Sequence, residues 1–366
     1  MGGHFPDDQQ TLLLKAALSQ RLKAIRYFVE WLEVNKLDRL DPASKTFLTD
    51  FMDSIDEGSH RLLPQVIHNL GDDTHPYFRF LLGTRKNYWV KNKQIEFRTR
   101  QVLDILAENA IPAMLIRGLD LALRYYENPS LRPMSNGDIL IPYEYKSVAF
   151  ELAEKGLLGN KTHTYSLKAR NIAQTVHLEF DGELNVDLHW SIFREYAHTA
   201  DASDFIWKGA TRGEKSYTLS GTHALFVSLV KGSTFEQVPP FGWVADAQMI
   251  IRKAEIDWHE MLQLTKHFLY KPFLKRVFLY LVDQHQFSIP DYFLERLKAL
   301  EISEAEEKYY RAASGNPGKY SILSRVWFET LKKIHLHKLL LKNTDVSLSK
   351  YLFSWYFNRI KAKLLR

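Results

Sequence analysis

Apolar and charged residues follow a helical spacing over the N-terminal part of the chain. Across residues 10–35, apolar side chains such as Leu14 and Leu18 fall on one face of a helix, and charged residues occupy the other face. This is the pattern of an amphipathic helix. Further helical patterns follow at about residues 45–70 and 77–109. We therefore predict that this part of the chain is mostly α-helical.

The pattern then changes to short apolar runs bounded by helix breakers. The run IPAMLIRG, between Pro112 and Gly118, is too short for a helix and is predicted to form a buried strand. The segment LDLALRYY is predicted to be a helix, DILIP a second strand, and EYKSVAFELAEKGL a helix that ends at Gly156. This succession of strand, helix, strand and helix indicates an α/β core.

Two alternating runs follow in QTVHLEFDGELNVDLHWSI, with Asp181-Gly182 between them. This dipeptide is the most favourable one for a two-residue type I′ turn, so we predict a β-hairpin. With a two-residue turn, Val176 is expected to pair with Asp187. His177 is then expected to point to the opposite side of the hairpin.

Beyond about residue 205 the pattern is helical again up to the C-terminus. The last segment places an apolar residue at every fourth position and ends in basic residues. The members of this row are Leu348, Leu352, Tyr356, Ile360 and Leu364. Such a helix suits a membrane interface or a partner groove, but packing on the core with a cationic C-terminus explains it as well and is the favoured interpretation.

These elements predict the α+β fold class, with a small mixed β-sheet flanked by large N- and C-terminal helical regions. The expected division is an N-terminal helical region at 1–108, an α/β core at 109–200 and a C-terminal helical region at 201–366. No linker-like or repetitive segment separates these regions, so we expect packed lobes.

Composition narrows the functional classes only slightly. The absence of cysteine excludes disulfides and thiolate metal sites. The segment MGGHFPDDQQ lacks a signal pattern and no apolar run is long enough for an integral membrane segment, so the expected location is cytoplasmic. Lys and Arg exceed Asp and Glu by 49 to 43, a net charge of +6 that favours anionic ligands but is also usual for a solvated surface.

Candidate chemistry begins at the second predicted strand. Asn136 and Asp138 are two residues apart, so both project from one face of that strand. Sites that transfer nucleotidyl groups commonly place two carboxylates at this spacing to hold Mg²⁺. Asp187, on the same strand face as His189, could deliver another carboxylate. On pattern alone, a turn role for Asp138 and a loop hydrogen bond for Asp187 are favoured.

Other polar residues have simpler explanations. His177, Asp187 and His189 suggest a zinc cluster, but the expected hairpin register speaks against it. His189 is better explained as a hydrogen-bonding partner or a core histidine than as a ligand. Trp243 and Asp246 are three residues apart on a predicted helix and are expected to pack and cap within the helical lobe.

Several separated motifs carry a family resemblance. The segments AMLIRGLDLALRYY, LRPMSNGDILIP, LNVDLHWSI, GWVADAQMII and IDWHEML occur in this order between about residues 80 and 290. Together they resemble the nucleotidyltransferase family of the DNA polymerase beta superfamily. Members of that family carry a Leu-Lys-Gly turn, an Arg-Pro-Met-x-Asp-x-Asp strand, an Asp-Leu-His-Trp strand, and a Trp-x-x-Asp helix followed by Asp-Trp. The ordered set is far more specific than any single motif.

The resemblance implies a site with one charge missing. The carboxylate pair of the family falls on Asn136 and Asp138, and its third carboxylate on Asp187. Mg²⁺ or Mn²⁺ is then expected on Asp138 and Asp187, with Asn136 as a weak neutral ligand. The turn of the family falls on Arg117 and Gly118, where Arg replaces the usual Lys. Arg117, Gly118 and Arg132 are therefore the expected contacts of the nucleotide phosphates.

The implied function is metal-dependent transfer of a nucleotidyl group from a nucleoside triphosphate to an acceptor. The acceptor is left open between protein, small molecule, sugar and RNA, and so are the nucleotide preference and the oligomeric state. The alternative is a catalytically inactive nucleotidyltransferase-like binding or regulatory module. A third class, a peripheral membrane or nucleic-acid-binding protein, rests on basic charge and the C-terminal helix alone.

Overall fold

The computed structural model describes residues 5–71, 77–159, 175–180, 184–193, 196, 200–232 and 241–314, together with 326–327, 330–331, 333–334, 337, 347–353 and 356–357. The chain divides into two compact units. One comprises Pro6–Ser228 and Phe241–Ile256, and the other Met1–Phe5, Leu229–Pro240 and Asp257–Arg366. This division follows spatial contacts, and the three regions expected along the chain stay a prediction.

The first unit begins with a helical layer. Its helices are α1 (Asp8–Leu18), α2 (Arg21–Val34), α3 (Phe47–Asp53), α4 (Glu57–Leu70) and α5 (Phe78–Glu108). The single helix expected over residues 10–35 is in fact two, because Ser19 and Gln20 adopt extended backbone angles between α1 and α2. The Asp7 side chain caps α1 by accepting a hydrogen bond from the backbone N–H of Gln10.

A six-stranded mixed sheet follows, which confirms the α+β fold class. The strands are β1 (Met114–Ile116), β2 (Asn136–Leu140), β3 (Thr175–Phe180), β4 (Leu184–His189), β5 (Ala210–Arg212) and β6 (Tyr217–Leu219), in the spatial order β3-β4-β2-β1-β6-β5. Further helices are α6 (Arg117–Arg124), α7 (Lys146–Glu154), α8 (Ala200–Trp207), α9 (Gly221–Lys231) and α10 (Gly242–Lys253). The sequence predicted that β1 to β4 lie in one sheet, and they do. The expectation of only helices beyond residue 205 was wrong, because β5 and β6 lie there.

The hairpin of β3 and β4 is present, but its expected register was wrong by one residue. Phe180 pairs with Leu184, so three residues separate the paired positions instead of two, and those residues lie outside the described part of the chain. His177 therefore pairs with Asp187, and Val176 pairs with Leu188. One additional loop residue exchanges the faces of a strand, since side chains alternate with a period of two. His177 thus shares a face with Asp187.

Helix α5 covers one face of the sheet and holds the loop that leads into β2. A Cβ atom at Gly137 would lie 2.0 Å from the Thr99 hydroxyl, so α5 packs directly against the middle of β2. Asn92 of α5, which is 2% exposed, donates hydrogen bonds to the carbonyls of Pro129 and Arg132. Because strand side chains alternate, the neighbours of Gly137 in β2 project from the opposite face.

Gly137→Ala is expected to lower the free energy of unfolding by about 1–3 kcal/mol, because the added methyl group overpacks a contact with a buried helix residue. Thr99 is 0% exposed and has little room to move. Urea unfolding measures the effect, with Gly242→Ala as the control, since a Cβ there meets nothing within 4 Å. Thr99→Ala should recover part of the loss. Equal stabilities of wild type and Gly137→Ala would contradict this packing.

The second unit contains α11 (Trp258–His267), α12 (Lys271–His285), α13 (Asp291–Ala299) and α14 (Glu304–Ser314). Leu348 and Leu352 of the predicted apolar row are half-buried, whereas Ile360 and Leu364 lie outside the described residues. Packing of this row on the helical lobe therefore stays a prediction. Among the described residues, the helices include none with the length and apolar character needed to cross a bilayer.

Candidate functional site

Parallel pairing of β2 and β4 brings the candidate carboxylates together. Asn136 pairs with Asn185 and Asp138 pairs with Asp187. Paired positions of adjacent strands project from the same face of a sheet, so Asp138 and Asp187 stand side by side on the face that α5 does not cover. Asp138 is 5% exposed, and the Asp187 side chain is 15% exposed. Asp138 and Asp187 therefore lie on the same face of the sheet, as a shared site requires.

His189 joins the two carboxylates in a candidate metal-binding group. One potential ligand atom each from Asp138, Asp187 and His189 lies within 4.8 Å of the others in the described part of the chain. His189 Nε2 lies 2.9 Å from Asp138 Oδ1. A carboxylate accepts hydrogen bonds, so this contact places the proton on Nε2, and that nitrogen then has no lone pair for a metal. In this arrangement His189 orients Asp138, as the sequence suggested.

The other nitrogen of His189 supports the same role. Nδ1 is buried without a hydrogen-bonding partner in the described part of the chain. A histidine that binds a metal normally donates its other N–H to an acceptor, and an unpaired buried donor is costly. Ligation through Nε2 would place the proton on Nδ1 and create that cost. If His189 instead donates from Nε2 to Asp138, Nδ1 carries no proton and only an acceptor is left unpaired.

Asn136 lies between the two carboxylates with its amide nitrogen. Nδ2 donates to Asp187 Oδ2 at 2.5 Å and to Asp138 Oδ1 at 3.5 Å. The amide oxygen accepts a hydrogen bond from the Ser135 hydroxyl at 2.9 Å. The amide N–H groups thus bridge the two acids, where a cation would otherwise offset their repulsion. To ligate a metal through its oxygen, as the resemblance implied, Asn136 must rotate its amide by half a turn.

Arg117 also faces the carboxylates. Its Nη1 lies 3.6 Å from Asp138 Oδ1, and its Nη2 donates to the Ile192 carbonyl at 2.7 Å. The Arg117 backbone has a φ of 56°, a left-handed conformation that is strained for a residue with a side chain and is found preferentially at functional sites. At the predicted Arg117-Gly118 turn, the unusual backbone angle therefore belongs to Arg117, since Gly118 has no positive φ.

His177 is the site residue that the sequence prediction missed. Its Nδ1 lies 2.6 Å from Asp187 Oδ1, and this hydrogen bond raises the pKa of His177 above its ordinary value. The expected two-residue turn had placed His177 on the face opposite Asp187, whereas the observed register pairs the two residues. The expected hairpin register, which spoke against a zinc cluster of His177, Asp187 and His189, was therefore wrong.

Arg132 forms a buried ion pair with Asp246. Its Nε and Nη2 donate to the two oxygens of Asp246 at 2.7 and 2.8 Å, and the Tyr126 hydroxyl donates to Asp246 Oδ1 at 2.8 Å. Burial alone would lower the pKa of Arg132, but the Asp246 charge and its hydrogen bonds raise it above the ordinary value. The third nitrogen, Nη1, would lie 3.2 Å from a Cβ at Gly118. Arg132 and Gly118 thus pack together.

Asp246 does not act as the expected helix cap. The residue that precedes α10 is Phe241, which makes no side-chain capping bond, and Asp246 lies inside the helix. Trp243 is 4% exposed and packs within the fold, as predicted. The Trp-x-x-Asp motif therefore connects α10 to the loop before β2.

Comparison with protein-family models identifies the family of the chain. No curated protein and no solved structure shows significant similarity to the chain. A family model described as "uncharacterised nucleotidyltransferase" matches residues 58–283, which is more than half of the chain and includes the carboxylate site and α10. The chain belongs to this uncharacterised nucleotidyltransferase family.

Proposed function

We propose that the protein transfers a nucleotidyl group from a nucleoside triphosphate to an acceptor and that it does so with a bound divalent cation. The observation that carries this proposal is the pairing of Asp138 with Asp187 on adjacent parallel strands, which brings one carboxylate oxygen of each within 4.8 Å of the other. Two carboxylates supply the oxygen donors that Mg²⁺ and Mn²⁺ prefer. The donor set therefore fits such a cation.

The residues of the carboxylate site would have different roles around the cation. Asp138 and Asp187 would hold the cation, and His189 keeps Asp138 in position through its Nε2–H bond. Asn136 would contribute its amide oxygen after rotation. A cation bound there would polarise the phosphoryl oxygens of the nucleotide and neutralise charge during in-line transfer.

The expected phosphate contacts differ in how accessible their donors are. Arg117 lies beside Asp138 with a side chain that is 20% exposed, and it is the proposed phosphate partner. Arg132 has two of its nitrogens bound to Asp246, so only Nη1, against Gly118, is placed to contribute. We propose that Arg132 and Gly118 act mainly by supporting the Arg117 turn.

A second candidate function has an observation of its own. The amide of Asn136 already donates to both carboxylates, and Arg117 and His177 lie against them. These groups offset the two negative charges without an ion. This arrangement favours the alternative of a non-catalytic module that binds a nucleotide without a metal.

Calorimetric titration with each nucleoside triphosphate separates the two functions. We expect binding in Mg²⁺ or Mn²⁺, and a loss of at least ten-fold in affinity with EDTA or with Asp187→Asn, because EDTA removes the cation and the substitution removes one of its carboxylate ligands. Asp50→Asn is the control, since Asp50 is exposed on α3. Its affinity should equal that of the wild type.

The remaining outcomes decide against the transferase. Nucleotide binding of equal strength with metal and with EDTA would support the non-catalytic module. No binding of any nucleotide under either condition would contradict both functions.

For an active enzyme, release of pyrophosphate with a candidate acceptor then identifies the acceptor class.

A further inference from the structure

A stretch of α5 carries an excess of positive charge. Residues 85–100 contain one carboxylate, Glu96, against six basic side chains. The basic residues are Arg85, Lys86, Lys91, Lys93, Arg98 and Arg100. This gives the segment a net charge of +5. A local excess of basic side chains is the charge that a surface for a polyanion requires.

Aromatic side chains stand among these charges. Trp89 is 48% exposed and Phe97 is 58% exposed. They lie eight residues apart on the outward face of α5, which corresponds to about 12 Å along a helix. Lys93 lies between them, and the three side chains line an open groove of about 380 Å³ that reaches Leu184 at the start of β4. We name this surface the α5 groove.

Local contacts hold the cations of the groove in place. The Arg98 guanidinium lies 5.5 Å from the ring centre of Phe97 and 5.3 Å from that of Phe180. Glu96, whose side chain is only 13% exposed, binds Lys93 at 2.8 Å and Arg100 at 2.8 Å. A positive charge is thus fixed beside an exposed aromatic ring.

We propose that the α5 groove binds a single-stranded nucleic acid. Proteins bind such strands by pairing a basic groove with the phosphate backbone and by stacking bases on exposed aromatic rings. Trp89 and Phe97 are the stacking rings, and Lys93 and Arg98 meet the phosphates. A membrane-binding face requires a continuous apolar stripe, whereas Lys93 and Gln94 interrupt the apolar residues here.

This surface is independent of the proposed transferase site. The opposite side of α5 buries Thr99 against Gly137, so the helix covers the sheet face that points away from Asp138 and Asp187. The strand held in the α5 groove therefore binds whether or not the carboxylates bind a cation.

Fluorescence anisotropy of a labelled oligouridylate with the full-length chain tests the proposal. We expect Trp89→Ala and Phe97→Ala each to weaken binding about ten-fold, since stacking contributes that much per base. Lys93→Glu should weaken binding and reduce its dependence on salt. Matched controls are Tyr292→Ala, an aromatic residue that is 43% exposed on α13, and Lys23→Glu, an exposed charge on α2. Both controls should bind like the wild type.

Ultraviolet crosslinking of a thiouridine-containing strand to the wild type adds a measurement that needs no variant. Crosslinks are expected in the peptide that contains Trp89 and Phe97. Crosslinks confined to other peptides would overturn the proposal, as would equal losses of affinity in the groove variants and the controls. Binding to anionic vesicles without binding to the oligonucleotide would also overturn it and would identify a lipid surface instead.

Discussion

Asp246→Ala is expected to lower the free energy of unfolding by about 3–5 kcal/mol, because it leaves a buried guanidinium without its partner. The Arg132 side chain is 15% exposed and that of Asp246 is 10% exposed, so water replaces the lost carboxylate poorly. The variant also removes the acceptor of the Tyr126 hydroxyl. Urea unfolding of the full-length chain measures the loss.

Two comparisons separate the ion pair from general side-chain removal. Glu57→Ala breaks an exposed helical pair with Arg61 and should cost less than about 1 kcal/mol. Combining Asp246→Ala with Arg132→Met should cost less than the sum of the single changes, since the unpaired charge is gone. If Asp246→Ala proves no more costly than Glu57→Ala, the buried pair does not hold the loop before β2 to α10.

Asn136→Asp is expected to tighten Mg²⁺ binding by roughly ten-fold or more, because it adds a negative charge next to Asp138 and Asp187. The substitution is nearly isosteric, so packing should change little. In the wild type the Asn136 amide donates to both acids, whereas a carboxylate there would repel them until a cation binds. The variant should therefore be less stable than the wild type in EDTA and gain more stability from Mg²⁺.

Calorimetric titration with Mg²⁺ and Mn²⁺, together with thermal unfolding, measures both effects. Asn136→Ala is the matched control, because it removes the amide without adding a charge and should not tighten binding. Asp138→Asn should abolish metal binding. If Asn136→Asp binds Mg²⁺ no better than the wild type, Asn136 does not lie at the ion and the charge-loss explanation is wrong.

The sequence predicted the central strands because breakers bounded their apolar runs. It could not predict the hairpin register, since the face of every residue in β3 depends on whether the turn has two or three residues. Strands β5 and β6 have three residues each, too few for a recognisable alternation. Their place in the sheet depends on pairing of β6 with β1, a contact between distant parts of the chain.

The site was predictable only in part, for a related reason. Asn136, Asp138 and Asp187 belong to local strand patterns, and the fold does bring these three side chains together. Arg132 and Asp246 are 114 residues apart, and no local pattern distinguishes a buried ion pair from a phosphate contact and a helix cap. The orientation of the Asn136 amide depends on Ser135 and both acids at once. Such networks follow from three-dimensional packing.

The Arg132–Asp246 pair shows that the family motifs contain residues with two different roles, packing of the fold and charge at the carboxylate site. Arg132 opens one motif and Asp246 closes another, and each uses its charge to satisfy the other inside the protein. These two motif residues therefore serve the packing of the fold. The charge available for a cation depends on a different position, Asn136, whose neutral amide lies between the two acids. The buried pair can thus stay intact while the charge beside Asp138 and Asp187 changes through a single atom exchange, oxygen for nitrogen, at Asn136.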